Sequence, residues 1–321
     1  MLFKRVRLRP GSPLVNVSLA AAVIFLAACS GSEDEPTLEA VDNSSSQTDE
    51  VAENAVVLPA VWNTGPLHAP VKDIAFAGGI KPIMLALFED GSAQIFDLNA
   101  ERLTEPLPID ASVIATGSVV TLGGTSLSLF PALSKDGAPI IIAYNSTLTS
   151  PNVIDLEDDI RARGMCLAEI PTDGAAFTIQ YRPLDGTNDF ADSNYRDINI
   201  TPEESIQSVP RGIESAAGPT LECASNRPRL GDVVLLRRGD RFAMVQLPPS
   251  GVLTVQTQPG SSRTATIRDG ITVRATREPT AIATLSDVRF GNYPDGVLAV
   301  TGPLDNGEHR ITLVEPGPLF D

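Results

Sequence analysis

From residue 56 onward, apolar residues occur in short runs, and helical periodicity is nearly absent. Runs of continuous or alternating apolar residues, bounded by Gly, Pro, Asn and Asp, are typical of β-strands. The pattern predicts strands over residues 83–88, 92–98, 126–133, 139–145, 175–181, 232–238, 241–247, 296–302 and 310–316. We therefore expect an all-β domain over residues 56–321.

Turn sequences between these runs indicate hairpins. Gly91, Gly137 and Gly174 each follow an aspartate, as in a tight turn, and they are 46 and 37 residues apart. A four-stranded blade needs about 40–50 residues, so this spacing favours a β-propeller of five or six four-stranded blades. A β-sandwich remains the alternative, because the repeat is irregular and residues 182–230 are polar and loop-like.

Before this domain, the chain has the order of features of a secretory signal peptide. Basic residues precede an apolar run over residues 14–28, and Leu26-Ala27-Ala28-Cys29 resembles the lipobox of bacterial lipoproteins. The resemblance implies that residues 1–28 are removed and that Cys29 carries the lipid. Ser30, in place of Asp, resembles the pattern of lipoproteins exported to the outer membrane.

Residues 30–55 contain eight acids and no base or aromatic residue. Such a segment cannot bury enough apolar surface to order itself, so we expect residues 29–55 to form the lipidated cysteine and a disordered acidic tether. The full chain has a net charge of −16, and removal of the signal segment with its four bases gives −20. The tether contributes eight of these negative charges, which leaves −12 on residues 56–321. A domain this acidic is a poor binder of nucleic acid.

Cys166 and Cys223 are the cysteines that remain after Cys29. An even pair in an exported protein is consistent with a disulfide, although two buried free thiols fit equally well. His68 and His309 lie in loop-like sequence without a nearby nucleophile signature, and we interpret them as solvated. Glu157, Asp158 and Asp159 offer carboxylates for a weak calcium site, or simply an acidic solvent-facing turn.

Five stretches resemble, in order and approximate spacing, successive parts of the β-propeller phytases. They are "PAVW" (59–62), "EDGSAQIFDLNAERL" (89–103), "GAPIIIAYNSTL" (137–148), "ARGMCLAEIPTDGAAFTI" (162–179) and "FGNYPDGVLAVTG" (290–302). The resemblance implies a calcium-dependent release of phosphate from inositol hexakisphosphate at one mouth of a six-bladed propeller. It also implies that Trp62 lies in an opening motif, where we expect it to pack between the first and last blades.

The residues that would carry this chemistry differ from the family pattern. At the candidate mouth positions the chain has Glu89 in place of a base, Ser146 in place of an arginine, and Ala168 in place of a tyrosine. Arg211 and Thr280 replace acids of later blades. Charge placement is usually the largest contribution to stabilising a transferring phosphoryl group, so these changes predict that activity is lost.

The sequence therefore predicts an outer-membrane lipoprotein with a noncatalytic, phytase-like propeller and no bound cofactor. Its partners would be the membrane, through the lipid, and a protein or glycan of the envelope. The long polar and aromatic stretch 185–199 is a candidate recognition loop. The alternative is a diverged phosphomonoesterase that uses calcium.

Overall fold

The structure, a computed structural model, describes residues 55–122, 125–147, 150–156, 160–169, 177–183, 196–200, 206–210, 232–258, 261–286 and 293–320. These residues belong to one compact unit that spans Ser46–Asp321. Cys29, the tether, residues 157–159, Arg211 and Cys223 lie outside the described residues. Within the described part, no helix is long and apolar enough to cross a membrane.

The described strands form five antiparallel units, which we call blades I to V. Blade I contains β2 (Val71–Ala77), β3 (Ile83–Phe88), β4 (Ser92–Asp97) and β5 (Leu107–Pro108). Blade II contains β6 (Ala111–Ile114) and β7 (Ser118–Leu122), which both pair with β8 (Thr125–Ser134), then β9 (Pro139–Tyr144) and β10 (Asn152–Asp155). Blade III contains β11 (Ala162–Glu169), β12 (Phe177–Pro183), β13 (Arg196–Ile200) and β14 (Ile206–Pro210).

Blade IV contains β15 (Asp232–Arg238), β16 (Arg241–Leu247), β17 (Thr254–Gln258) and β18 (Ser261–Arg268). Blade V contains β19 (Ala281–Leu285), β20 (Val297–Pro303) and β21 (His309–Val314), and its fourth strand is β1 (Val56–Asn63). The chain therefore closes with its first strand in its last blade. A short 3₁₀ helix, Gly317–Phe320, follows β21.

Strand β1 joins two blades. Its first half runs parallel to β18, with Val56 opposite Ala265, and its second half runs antiparallel to β21, with Asn63 opposite Thr312. Blades IV and V thus form one continuous eight-stranded sheet. Leu58 is fully buried at this closure, whereas Val57 on the opposite face is 41% exposed.

Each described core cluster lies between two successive blades, which is the packing of a propeller. One cluster joins blades IV and V, a second joins V and I, a third joins I and II, and a fourth joins II and III. Strands β3 and β9 are buried along their whole length because both of their faces are covered. This packing confirms the all-β propeller and excludes the sandwich, in which each sheet buries one face.

The predicted strands agree with the structure, with ends shifted by a few residues, and Gly91, Gly137 and Gly239 occupy hairpin turns at positive φ. The spacing argument was only half right. Gly91 and Gly137 each lie between the second and third strands of a blade, whereas Gly174 falls in the chain between the first and second strands of blade III. The interpretation of residues 182–230 as loop-like was wrong in part, because β13 and β14 lie there and β13 includes residues 196–199 of the expected recognition loop.

Candidate functional site

The turns between second and third strands lie on one face of the propeller, which we call the upper face. In the described part they cover residues 89–91, 135–138, 248–253 and 304–308. The segments that lead from one blade to the next, such as residues 64–70 and 269–280, lie on this face as well. The opposite, lower face carries the turn after β15 and the start of β1. Residues 64–70 and their neighbours form the candidate site.

Residues 64–67 extend the closure beyond β1. Thr64 exchanges hydrogen bonds with Ile311: the Thr64 N–H donates to the Ile311 carbonyl (3.0 Å), and the Thr64 hydroxyl accepts from the Ile311 N–H (3.0 Å). The Thr64 carbonyl accepts from Arg310 Nη1 at 2.7 Å, and Leu67 N–H donates to the His309 carbonyl at 2.9 Å. These bonds hold the connection between blades V and I on the upper face.

His68, Asp90 and Ser92 meet at the upper end of blade I. His68 Nε2 lies 2.9 Å from Ser92 Oγ and 3.2 Å from Asp90 Oδ2, and the imidazole packs edge-on against Phe88 with ring centroids 4.2 Å apart. The Ser92 hydroxyl donates to Asp90 Oδ1 at 2.7 Å. His68 lies in the loop before β2, as expected, and its side chain is 34% exposed, but its contacts with Ser92 and Asp90 were not expected.

These three residue types occur in hydrolase triads, but the geometry here differs. In a triad, the serine and the carboxylate contact opposite ring nitrogens, so that the histidine takes the serine proton. Here both groups contact Nε2, and the serine proton already points to Asp90. A protonated Nε2 would donate to both oxygens, and the contacts form a hydrogen-bond network whose geometry is not that of a triad.

Asp90 is held in its ionised form by this network. Hydrogen bonds from the Ser92 hydroxyl and backbone N–H lower the pKa of Asp90, and the nearby His68 lowers it further. The Ser92 N–H bond, 2.9 Å, also closes the turn that contains Gly91. The same side chain therefore shapes the turn and adds negative charge to the upper face.

An ion-pair network lies between blades IV and V on the same face. Arg277 Nε and Nη2 bind the two oxygens of Asp305 at 2.8 and 3.1 Å. Arg277 Nη2 also lies 3.2 Å from Asp269 Oδ1, and Arg274 Nη1 lies 2.7 Å from Asp269 Oδ2. A hydrogen bond from the Ala275 N–H and the two arginines lower the pKa of Asp269. Both arginines are paired with carboxylates, and the side chain of Arg274 is 74% exposed.

Three side-chain atoms near the closure are buried without a hydrogen-bond partner among the described residues: Asn63 Oδ1, His309 Nδ1 and Arg310 Nε. Buried polar atoms are almost always paired, by protein, solvent or a ligand. His309 lies within β21 and its carbonyl accepts from Leu67, so the sequence-based placement in a turn was wrong. The three atoms therefore mark an unsatisfied polar patch inside the closure, beneath the surface of the upper face.

The candidate mouth positions are not gathered on one face. Glu89 is exposed in the upper turn of blade I, and Thr280, at the upper end of β19, donates to the Val71 carbonyl at 3.2 Å. Ser146 follows the lower end of β9, and the backbone of Ala168 lies near the lower end of β11. Trp62, expected between blades, is 43% exposed. Among the described residues, no group of three His, Cys, Asp or Glu side chains could hold a metal ion.

No protein-family model matches the chain, and a search of the curated proteins found no match. Among solved structures, the GH43_1 enzyme from Xanthomonas citri complexed with xylose is 12% identical with a TM-score of 0.40, over 83% of this chain and 91% of that chain. RS223-Beta-xylosidase is 10% identical with a TM-score of 0.41, over 78% of this chain and 94% of that chain. A variant of Aleuria aurantia lectin in complex with alpha-methyl-L-fucoside is 7% identical with a TM-score of 0.35, over 79% of this chain and 97% of that chain. Values this low carry no argument about function, and the strand order and packing define this chain as an all-β propeller.

Proposed function

We propose that the chain is an outer-membrane lipoprotein whose noncatalytic, phytase-like propeller binds an envelope partner through its upper face. The direction of β1 carries this proposal. Strand β1 begins at the lower face, where its first residues pair with β18. In this proposal, the tether joins the domain from that side. The upper face, with its turns and blade connections, is then the face that a partner reaches without crossing the anchor.

The chemistry of the upper face supports binding rather than phosphate release. Asp90 is bonded by Ser92 and His68, and Arg277 is bonded by Asp305 and Asp269. Glu89 adds an exposed carboxylate where the family resemblance calls for a base. Polyanions are therefore disfavoured on this part of the face, and a neutral polar or cationic surface of a protein or glycan is the better match.

Two measurements test the proposal. The mass of the N-terminal peptide from membrane-purified protein should show acylated Cys29, and Cys29→Ser should leave an unacylated precursor. A photo-crosslinking residue at Ile271, fully exposed on the upper face, should give an adduct of defined mass in cells. The same residue at Phe242, 39% exposed near the lower face, is the matched control. Adducts from Phe242 alone, or an unmodified Cys29 in mature protein, would contradict the proposal.

A further inference from the structure

Strand β10 is the outermost strand of blade II, and its outer edge differs from the described edges of blades I and IV. All four of its residues are exposed, and Val153 and Ile154 are each 44% exposed. The edge of blade I is the two-residue β5, which ends in Pro108, and the edge of β18 is covered by β1. Native sheets blunt their edges in these ways to prevent pairing with another chain. Among the outer strands whose side chains are described, β10 is the one that has exposed apolar side chains, Val153 and Ile154, beside an unpaired edge.

The hydrogen bonds of β10 determine which of its backbone groups point outward. Leu156 N–H donates to the Pro139 carbonyl, at 3.3 Å, and Ile154 lies opposite Ile141 in the same ladder. Bonded and non-bonded pairs alternate in an antiparallel ladder, so Asn152 and Ile154 bond inward to β9. Val153 and Asp155 therefore point their N–H and C=O groups away from the sheet. Pro151, which has no N–H, interrupts the edge on one side.

We propose that this edge pairs with the β10 edge of a second copy of the chain. An antiparallel pair with its two-fold axis at Ile154 places Val153 opposite Asp155 of the second copy, and both residues point outward. Each Val153–Asp155 pair then exchanges both of its hydrogen bonds, and the two Ile154 side chains meet on the axis. The edge is self-complementary in this register.

Other registers are worse. Centring the pair on Val153 places Asp155 opposite Pro151, which cannot donate a hydrogen bond. Centring it on Asp155 places two carboxylates directly opposite each other, which is destabilising. The register centred on Ile154 avoids both problems.

So short a strand buries too little surface for a stable dimer in dilute solution. This step rests on the proposed function, in which lipidated Cys29 holds each copy in the membrane. Two copies in one membrane have a raised effective concentration, so a weak contact between them becomes populated. The net charge of −12 on residues 56–321 opposes pairing, and salt screens that repulsion. The dimer should therefore become more abundant as ionic strength increases.

The test is disulfide trapping of the full chain in its own membranes. Ile154→Cys would meet its own copy in a non-hydrogen-bonded pair, where Cα atoms are about 4.5 Å apart, within disulfide range. Val153→Cys is the register control, since it faces Asp155. Val252→Cys is the collision control, because Val252 is 50% exposed in an upper turn away from this edge. Wild type measures crosslinking by Cys166 and Cys223, and limited proteolysis checks that each variant is folded.

We expect several-fold more disulfide-linked dimer from Ile154→Cys than from either control, with a further increase at high salt. Equal amounts from Ile154→Cys and Val252→Cys would overturn the proposal. A mixed disulfide between Ile154→Cys and a protein of another mass would also overturn it, in favour of a foreign strand. If Cys29 is acylated but Ile154→Cys gives no disulfide-linked dimer, the dimer is refuted and the proposed anchor is retained. If wild-type Cys29 carries no lipid, but the Ile154→Cys dimer still forms in a concentrated sample of the Cys29→Ser variant, the lipid anchor is refuted and the dimer is supported.

Discussion

At the scale of single residues, the contacts of Ser92 are the best defined feature of the upper face. This side chain is 8% exposed, donates to Asp90 and contacts His68. It therefore connects a turn of blade I to the segment that arrives from blade V. The sequence shows an Asp-Gly-Ser turn, but nothing in it indicates that a histidine 24 residues earlier would complete the network.

The hydroxyl and the backbone N–H of Ser92 both donate hydrogen bonds that favour the ionised form of Asp90. Ser92→Ala removes the hydroxyl bond, so the pKa of Asp90 should rise toward its ordinary value. A lowered folded-state pKa stabilises the protein above the unfolded pKa, and this stabilisation is lost as the pH falls through the folded pKa. Ser92→Ala should therefore flatten the acid-side fall in stability, and cost about 1 kcal/mol at neutral pH. Carboxyl NMR titration is the measurement. An unchanged titration of Asp90 would show that its pKa is lowered mainly by His68 or by the backbone N–H of the turn, and not by the Ser92 hydroxyl.

At the scale of elements, close contacts between blades make some turns intolerant of any side chain. Gly137, at φ +85°, lies so that an added Cβ would be 2.8 Å from the carbonyl oxygen of Ala162 in the next blade. Gly239 is also at positive φ, but nothing lies within 4 Å of its added Cβ. The two glycines look alike in sequence, and only the neighbouring blade distinguishes them.

Gly239→Ala should cost about 1–2 kcal/mol, the cost of a left-handed conformation for an L-residue. Gly137→Ala should cost more than this, because the backbone of β11 must also move. The free energies of unfolding from urea titrations of the two variants give the comparison. Equal decreases in the free energy of unfolding would mean that the backbone of β11 moves to accept the new side chain at no energetic cost.

The closing strand offers a second comparison. Leu58→Ala removes a fully buried side chain between blades IV and V and should cost about 2–5 kcal/mol. Val57→Ala, one residue earlier on the exposed face, should change stability by about 0.5 kcal/mol or less. Denaturation monitored by circular dichroism tests both. Similar losses for the two variants would contradict the inward direction of Leu58.

At the scale of the whole molecule, the surface charge predicts the absence of phytase activity. The protein beginning at Ser30 should release no phosphate from inositol hexakisphosphate in millimolar calcium. Each missing charge-assisted contact is worth about 1.5–3 kcal/mol, and Glu89 puts a carboxylate on the upper face where the resemblance requires a base. Ser146 and Ala168 lie toward the lower face, so they cannot complete a phosphate site with Glu89. Phosphate release is measured beside an active β-propeller phytase. Calcium-dependent turnover within a few orders of magnitude of that enzyme would restore the alternative function.

The disulfide between Cys166 and Cys223 stays a prediction, since Cys223 lies outside the described residues. The same holds for the lipid on Cys29 and for a calcium site at Glu157, Asp158 and Asp159. The candidate site itself was largely missed by sequence reasoning. His68 and Asp90 are far apart in the chain, and the Arg277 network combines two separate turns, so only folding shows which charges are paired.

The sequence by itself determined the local structure of this protein. Alternating and continuous apolar runs specify strands, and Asp-Gly turns specify hairpins, because both depend on residues close in the chain. The turn spacing favoured a propeller and left a sandwich as the alternative, and only the packing between successive blades decided between them. Tertiary structure alone decided the arrangement of the five described blades and the pairing of β1 with β18 and β21. These depend on contacts between residues more than 200 positions apart, such as Val56 with Ala265 and Asn63 with Thr312, which no local pattern encodes.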